Sequence, residues 1–187
     1  MNRRAVLIIA ALVILAGLVW WALRPGGARL SSPPAAVEAL PTPTPAPEQR
    51  IMLLFPGRDG RLHPVLRTVA LPAELDQRAG VVVGELLKGP GGRADLLDAV
   101  PWPCELLEVF VDGRGTAYVD LTGPRAPLAG SNVELMTAYS IVNSVLLNCP
   151  ELHRLQVLLD GKEIPTLTGH LDLSRPLPVN KGLIASS

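Results

Sequence analysis

Three histidines, two cysteines and a scatter of carboxylates carry whatever chemistry this chain of 187 residues can perform, and their spacing limits it. His63, His153 and His170 stand far apart with no H-x-x-x-H or H-x-H pair, and neither Cys104 nor Cys149 belongs to a C-x-x-C unit. No metal site is therefore written locally, and one assembled from distant residues stays open. Cys149 shortly precedes His153, the residue types of a thiol nucleophile and its base, but Pro150 intervenes and no orienting acid is evident. Neither a G-x-S-x-G elbow nor an S-x-x-K pair occurs. Asp95 and Asp98, or Glu105 and Glu108, are the types a glycosidase needs, yet that reaction requires carboxyls about 5–10 Å apart across a cleft, which local spacing does not establish.

The glycine-rich stretch GPGGRADLLDAVPWP invites comparison with phosphate-binding loops, but it lacks the lysine and hydroxyl residue of a nucleotide loop and the spacing of a dinucleotide fingerprint. Asp112-Gly113 and Asp160-Gly161 are turn pairs outside any D-x-D-x-D-G calcium array. The residues thus point to no catalytic group, no cofactor site and no metal site. Seventeen basic residues balance 17 acidic ones without blocks, so no nucleic-acid partner is expected. The two cysteines permit a disulfide without requiring it.

The elements that would position these residues follow from periodicity. IMLLFP and LHPVLRTV, joined through Asp59-Gly60, read as a strand pair, with Pro64 confining the second strand to an edge or a bulge. Over 72–88, Leu75, Ala79, Val82 and Leu86 recur at helical spacing, Glu74 and Asp76 sit near the positive end, and Gly89-Pro90 stops the helix. Gly80 and Gly84 cost about 1 kcal/mol each against alanine, which close approach to a sheet would explain. Trp102 is expected to pack at the rim of the domain. ELLEVFVD and TAYVDL form a hairpin in which Leu107, Val109 and Val111 alternate, as do Ala117, Val119 and Leu121.

Ser131 and Glu134 make the S-x-x-E pattern of a capping box, opening a helix that runs to Asn148. Its buried face is predicted as Leu135, Tyr139, Val142 and Leu146, widened by Ala138, Ile141 and Val145, with Asn143 satisfying a buried backbone group. LHRLQVLLDG reads as a central strand, KEIPTLTGHLDLSRPL as a final short strand beside it, and the chain beyond Pro176 as frayed. The expected fold is α+β, a mixed and mostly antiparallel sheet with two helices packed on one face.

Ahead of this domain, residues 5–23 form an uncharged apolar run of about 19 residues, long enough as a helix to span about 30 Å of hydrocarbon. Arg3 and Arg4 precede it and Trp20 and Trp21 lie near its outer end, so it reads as a single-pass transmembrane anchor with a cytoplasmic N-terminus and an extracytoplasmic domain. A cleaved signal peptide is the competing reading. Leu15-Ala16-Gly17 is followed by Leu18, not by the cysteine that lipidation needs. Residues 24–49, ending in PTPTPAPEQ, form a stalk of extended, proline-rich chain. The expected division is 1–23 N-terminus and anchor, 24–49 linker, 50–175 folded domain and 176–187 tail.

Leu86-Leu87-Lys88-Gly89-Pro90, Val100-Pro101 and the strand Ala117-Tyr118-Val119-Asp120-Leu121 follow one another in an order and spacing that resembles the GerMN domain of sporulation and spore-germination proteins. Ser140-Ile141-Val142-Asn143-Ser144, the strand and turn over 157–162 and Gly169-His170-Leu171-Asp172 are similar to the same family's later landmarks. The family commonly shows Thr-Leu where Ser144-Val145 stands here. The resemblance covers one copy over 50–175, and it implies an extracytoplasmic domain used in envelope assembly and related to ring-building domains of secretion-like complexes. It brings no catalytic residues to carry over. Together with the anchor, it implies a non-enzymatic module joined to the membrane that binds an envelope protein or itself. Binding or hydrolysis of peptidoglycan, through acids such as Asp95 or Glu108, is the alternative.

Overall fold

The structure, a computed structural model, describes residues 19–20, 46–123 and 130–186. The chain divides into a unit Met1–Pro43 and a unit Thr44–Ser187. In the first, Val19 and Trp20 are helical. The rest of the apolar run and most of the stalk lie outside the described residues, and among the described residues no helix is long and apolar enough to cross a membrane.

In the second unit the elements run β1 (Glu48–Pro56), β2 (Leu62–Ala70), α1 (Leu75–Leu87), β3 (Leu106–Val111), β4 (Thr116–Leu121), α2 (Ser131–Asn148), β5 (Arg154–Leu159) and β6 (Lys162–Glu163), then a 3-10 turn at Lys181–Leu183. The mixed, mostly antiparallel α+β character is as expected, with β4 and β5 the one parallel pair among the described strands. The strands do not form one sheet. β1 and β2 make a separate antiparallel ribbon, and β3-β4-β5-β6 make a four-stranded sheet with β5 in an interior position.

The reason for the split lies in α2. Its Asn148 side chain accepts from Met52 N (2.9 Å) and donates to Met52 O (2.7 Å), while Ser144 Oγ accepts from Leu54 N (2.9 Å). These side chains satisfy the β1 edge where a further strand would otherwise pair. The helix packs against β1, β5 and α1 at once, and every residue from Met136 to Leu146 is buried. It is a central helix enclosed on nearly all sides, not one with a single buried face, and the expected arrangement of both helices on one face of one sheet gives way to it.

The predicted stripe of α1 is present, with Ala79, Val82, Val83 and Leu86 buried, although the helix begins at Leu75 and not at Pro72. Arg67 of β2 closes its C-terminal end. Nη1 donates to Glu85 O (2.5 Å) and Glu85 Oε2 (3.2 Å), Nη2 donates to Gly89 O, and the guanidinium lies 5.8 Å from the centre of the Phe55 ring. A cation there meets carbonyls that the helix leaves unpaired. Close approach does not explain the helix glycines. A Cβ on Gly80 would sit in ordinary contact with Val109 at 3.9 Å, and one on Gly84 would meet nothing within 4 Å.

The β3–β4 hairpin forms as expected, its turn fixed by Asp112 Oδ1 accepting from Arg114 N and Thr116 N, both at 2.8 Å. A register shift between Leu106 and Glu108 alters the predicted alternation. Leu106, Val109 and Val111 pack on the core, whereas Leu107 is turned out. Such a bulge places two residues of one strand opposite one of its partner.

The C-terminal segment is integrated, not frayed. Leu177 and Leu155 exchange backbone hydrogen bonds of 2.8 and 2.9 Å, Ala185 N donates to Leu62 O (2.9 Å), and Asn180 is held at both ends of its peptide by Asn143. The last contact is the role expected of Asn143: Nδ2 donates to Asn180 O (2.9 Å) and Oδ1 accepts from Asn180 N (2.8 Å). These bonds strap the tail across the β5 edge, α2 and the end of β2.

Candidate functional site

Two surfaces of the second unit have the shape or exposure to receive something. The first is a groove of about 820 Å³ between the C-terminal end of α1, the loop 89–104 and the first turns of α2. The loop is pinned by Leu97 N donating to Pro56 O (2.8 Å) and by Trp102 Nε1 donating to Thr122 O (2.9 Å), so Trp102 both packs and orients. Gly89, at φ +79°, turns the chain out of α1 where a side chain would be strained and would press on Asp98. Leu86, Leu97, Val100, Trp102 and Met136 supply apolar walls, and Lys88, Asp98, Asn132 and Thr137 the polar points. The volume falls in the range of about 300–1,000 Å³ typical of small-molecule pockets.

Of the acids considered from sequence, Asp98 lines this groove, whereas Asp95, Glu105 and Glu108 do not. Asp95 is exposed and bonded to Arg93 Nε (2.9 Å) and Nη2 (2.6 Å), and that side-chain bond holds its carboxyl down at about 2. Lys88 is paired with Glu85. Cys104 also lines the groove, with burial pushing its thiol up. Both cysteines are free thiols. Cys149 is fully buried, which raises its thiol to about 11, the reverse of activation, and His153 lies exposed at the entry to β5. His63 bonds to Asp59 (3.0 Å) at the first hairpin, and His170 to Thr168 Oγ1 (3.1 Å). Among the described residues no three of His, Cys, Asp and Glu are gathered as metal ligands.

Glu134 behaves quite differently from a cap. Gly130, at φ +98°, precedes α2 with no side-chain cap, and Glu134 is wholly buried, turned toward the segment 166–171. Oε1 accepts from Thr166 Oγ1, from Leu167 N (2.7 Å) and from Thr168 N (3.0 Å). Oε2 accepts from Thr168 Oγ1 (2.8 Å), His170 N (2.8 Å) and Leu171 N (3.1 Å). Burial pushes this carboxyl up, but the donors of Thr166, Thr168 and His170 outweigh it and bring it to about 2. The S-x-x-E spacing concealed this use, because all the donors lie 32–37 residues away.

The second surface is the face of β3 and β4 turned away from the helices. Leu107 is 51% exposed and Phe110 58%, and the Phe110 ring lies 5.9 Å from that of Tyr118, its cross-strand partner. The signal in the sequence was a phenylalanine at an outward position of LEVFV. Aromatic and aliphatic side chains grouped on an exposed strand are characteristic of binding surfaces, not of catalytic clefts.

Residues 53–165 match the family described as Germane, sporulation and spore germination. No curated protein matches the chain. Among solved structures, a Clostridium perfringens protein assigned as a lipoprotein is similar at 18% identity and a TM-score of 0.51, covering 70% of this chain and 87% of its own. The tandem GerMN domains of the sporulation protein GerM from Bacillus subtilis are similar at 16% identity and a TM-score of 0.50, over 71% of this chain and 46% of theirs. The present chain therefore spans about half of that tandem structure. At such identities the likeness is one of fold.

Proposed function

The chain belongs to the Germane family of sporulation and spore-germination domains, and on that footing we propose that it is a non-enzymatic interaction module of the cell envelope, held to the membrane by its apolar N-terminal run. The observation that carries this reading is the exposed Leu107 and Phe110, with the half-buried Tyr118 beside Phe110, on the open face of the β3–β4 hairpin. The Clostridium perfringens relative, assigned as a lipoprotein, supports membrane attachment. On this reading the uncharged apolar run 5–23 is the membrane attachment and the proline-rich stretch 24–49 the spacer that follows it.

A photocrosslinking residue at Phe110 in intact cells, with one at the equally exposed Leu66 of β2 as control, tests this. The expected result is one discrete adduct with an envelope protein from position 110 and none from 66. A chain that stays solitary from every exposed position of the domain refutes the reading. Release of fragments from purified cell-wall sacculi by the chain replaces it with a hydrolytic function.

A further inference from the structure

Strand edges are the places where a sheet can take another chain, and most of those among the described residues are wholly or partly closed. The β1 edge is satisfied by Ser144 and Asn148 of α2. On β2, the Leu54 N–H opposite Pro64 is spent on Ser144, so the 54/64 pair is not a hydrogen-bonded one, and the proline ring stands on the outer edge without a donor. Ala185 N covers the Leu62 carbonyl of the same edge, which leaves only the outward groups of Leu66 and Thr68, beyond the proline, without a backbone partner among the described residues. The β5 edge is covered by β6 at Leu158 and Leu159 and by Leu177 at Leu155.

β3 has no such protection. Asp112 N donates to Thr116 O, which makes 112/116 a hydrogen-bonded pair and turns the N–H and C=O of Val109 and Val111 outward. Among the described residues nothing pairs with them, and Leu106–Val111 contains neither proline nor lysine. Glu105 and Glu108 are exposed, and Glu108 stands directly opposite Asp120, a cross-strand like-charge pair that costs stability in the free domain. None of Glu105, Glu108, Asp112 or Asp120 is in an ion pair among the described residues. Of the bases of this sheet, Arg114 and Arg154 lie at the turn end, and Lys162 follows Gly161, whose N–H donates to Asp120 Oδ1 (2.9 Å).

We propose that the outer edge of β3 is a strand-addition site for an extended segment of a partner protein in which apolar and basic residues alternate. This rests on the interaction-module reading and specifies its mode. Backbone pairing with Val109 and Val111 supplies alignment, the apolar side chains of the added strand extend the row of Val109 and Val111 on the core-facing side, and its lysines or arginines lie on the open face, their stems along Phe110 and their charges toward Glu108. A second copy of this chain does not fit. β3 against β3 would bring Glu108 of one copy toward the acidic strand of the other, and the arginine on the partly open β2, Arg67, is already spent on Glu85 and Gly89.

The test uses the full chain in detergent and three synthetic probes: a nine-residue peptide alternating valine and lysine, its valine–glutamate counterpart, and the lysine peptide N-methylated on alternate residues along one edge. The lysine peptide is expected to bind and to protect the Val109 and Val111 amides from hydrogen exchange. The glutamate peptide and the N-methylated peptide are expected to bind at least tenfold more weakly. The surface variant Glu108→Lys, whose side chain is exposed and leaves the core intact, weakens the lysine peptide at least tenfold. Equal binding of all three probes, or protection elsewhere than on β3, overturns the proposal. If those results coincide with discrete crosslinks from another position of the domain, the interaction-module reading survives; a chain solitary from every position overturns both.

Discussion

Replacing Glu134 by glutamine tests the physical account of the segment 166–171. Its carboxyl is wholly buried and lies at about 2 against an ordinary value of 4.5. At about 1.36 kcal/mol per pH unit, that difference makes its ionised form worth about 3 kcal/mol to the folded state at neutral pH. The sign follows from proton uptake. Between about 4.5 and about 2 the unfolded chain binds a proton at Glu134 that the folded chain does not, so the contribution is complete above about pH 4.5, declines as pH falls, and is gone below about 2. Glutamine also presents an amide to backbone donors, leaving some unpaired. Urea titrations of both proteins at pH 7, 4.5, 3.5 and 2.5 should show Glu134→Gln less stable by about 3 kcal/mol at pH 7, with the gap narrowing toward acid. Hydrogen exchange should quicken first at the amides of Leu167, Thr168, His170 and Leu171. A gap that stays constant from pH 7 to 2.5 would refute the reasoning, because it would assign the effect to shape and not to charge.

Three further outcomes follow from packing and chain conformation. Gly84→Ala should stabilise the domain by about 0.5–1 kcal/mol and raise its melting temperature by a few degrees, since the new methyl meets nothing within 4 Å; calorimetry showing a loss would mean that the helix is constrained there. Ser140 is fully buried with its hydroxyl unpartnered among the described residues, so Ser140→Ala should be neutral or stabilising by up to about 1 kcal/mol in chemical denaturation. Deleting 176–187 leaves the Asn143 amide and the Leu62 carbonyl without their partners, and should cost about 2–4 kcal/mol; an unchanged denaturation midpoint would show the strap to be dispensable.

What could be read from the sequence was local. The α1 stripe, the Asp112-Gly113 turn and the interior position of β5 are each written within a dozen residues of themselves. Asn143 was legible because an amide within SIVNS must find a partner if it is buried. The features that escaped depend on distant partners. Ser144 and Asn148 look like ordinary polar residues near a helix end, yet they bond to β1, 90 and 96 positions earlier, and so decide that there are two sheets. Glu134 sat in a sound local pattern and was diverted by donors from a segment without periodicity. The bulge at Leu107 shifted the inward set from Leu107 to Leu106, a displacement that alternation cannot register. The candidate surface was partly visible, in the outward Phe110, but the open edge of β3 depends on which strands pair with which, and no local pattern carries that.

The capping of β1 by α2 also imposes a timetable on biogenesis. β1 and β2 emerge first from a ribosome or a translocation channel and can pair at once, but the carboxamide of Asn148 and the hydroxyl of Ser144 arrive only some 90 residues later. Until then the young ribbon presents an edge of unpaired backbone groups, at Met52 and Leu54, on the side that will become interior. Closing so long a loop is slow compared with forming the hairpin itself. This interval is when the nascent chain is most exposed to misassociation, and it ends with the docking of a single helix.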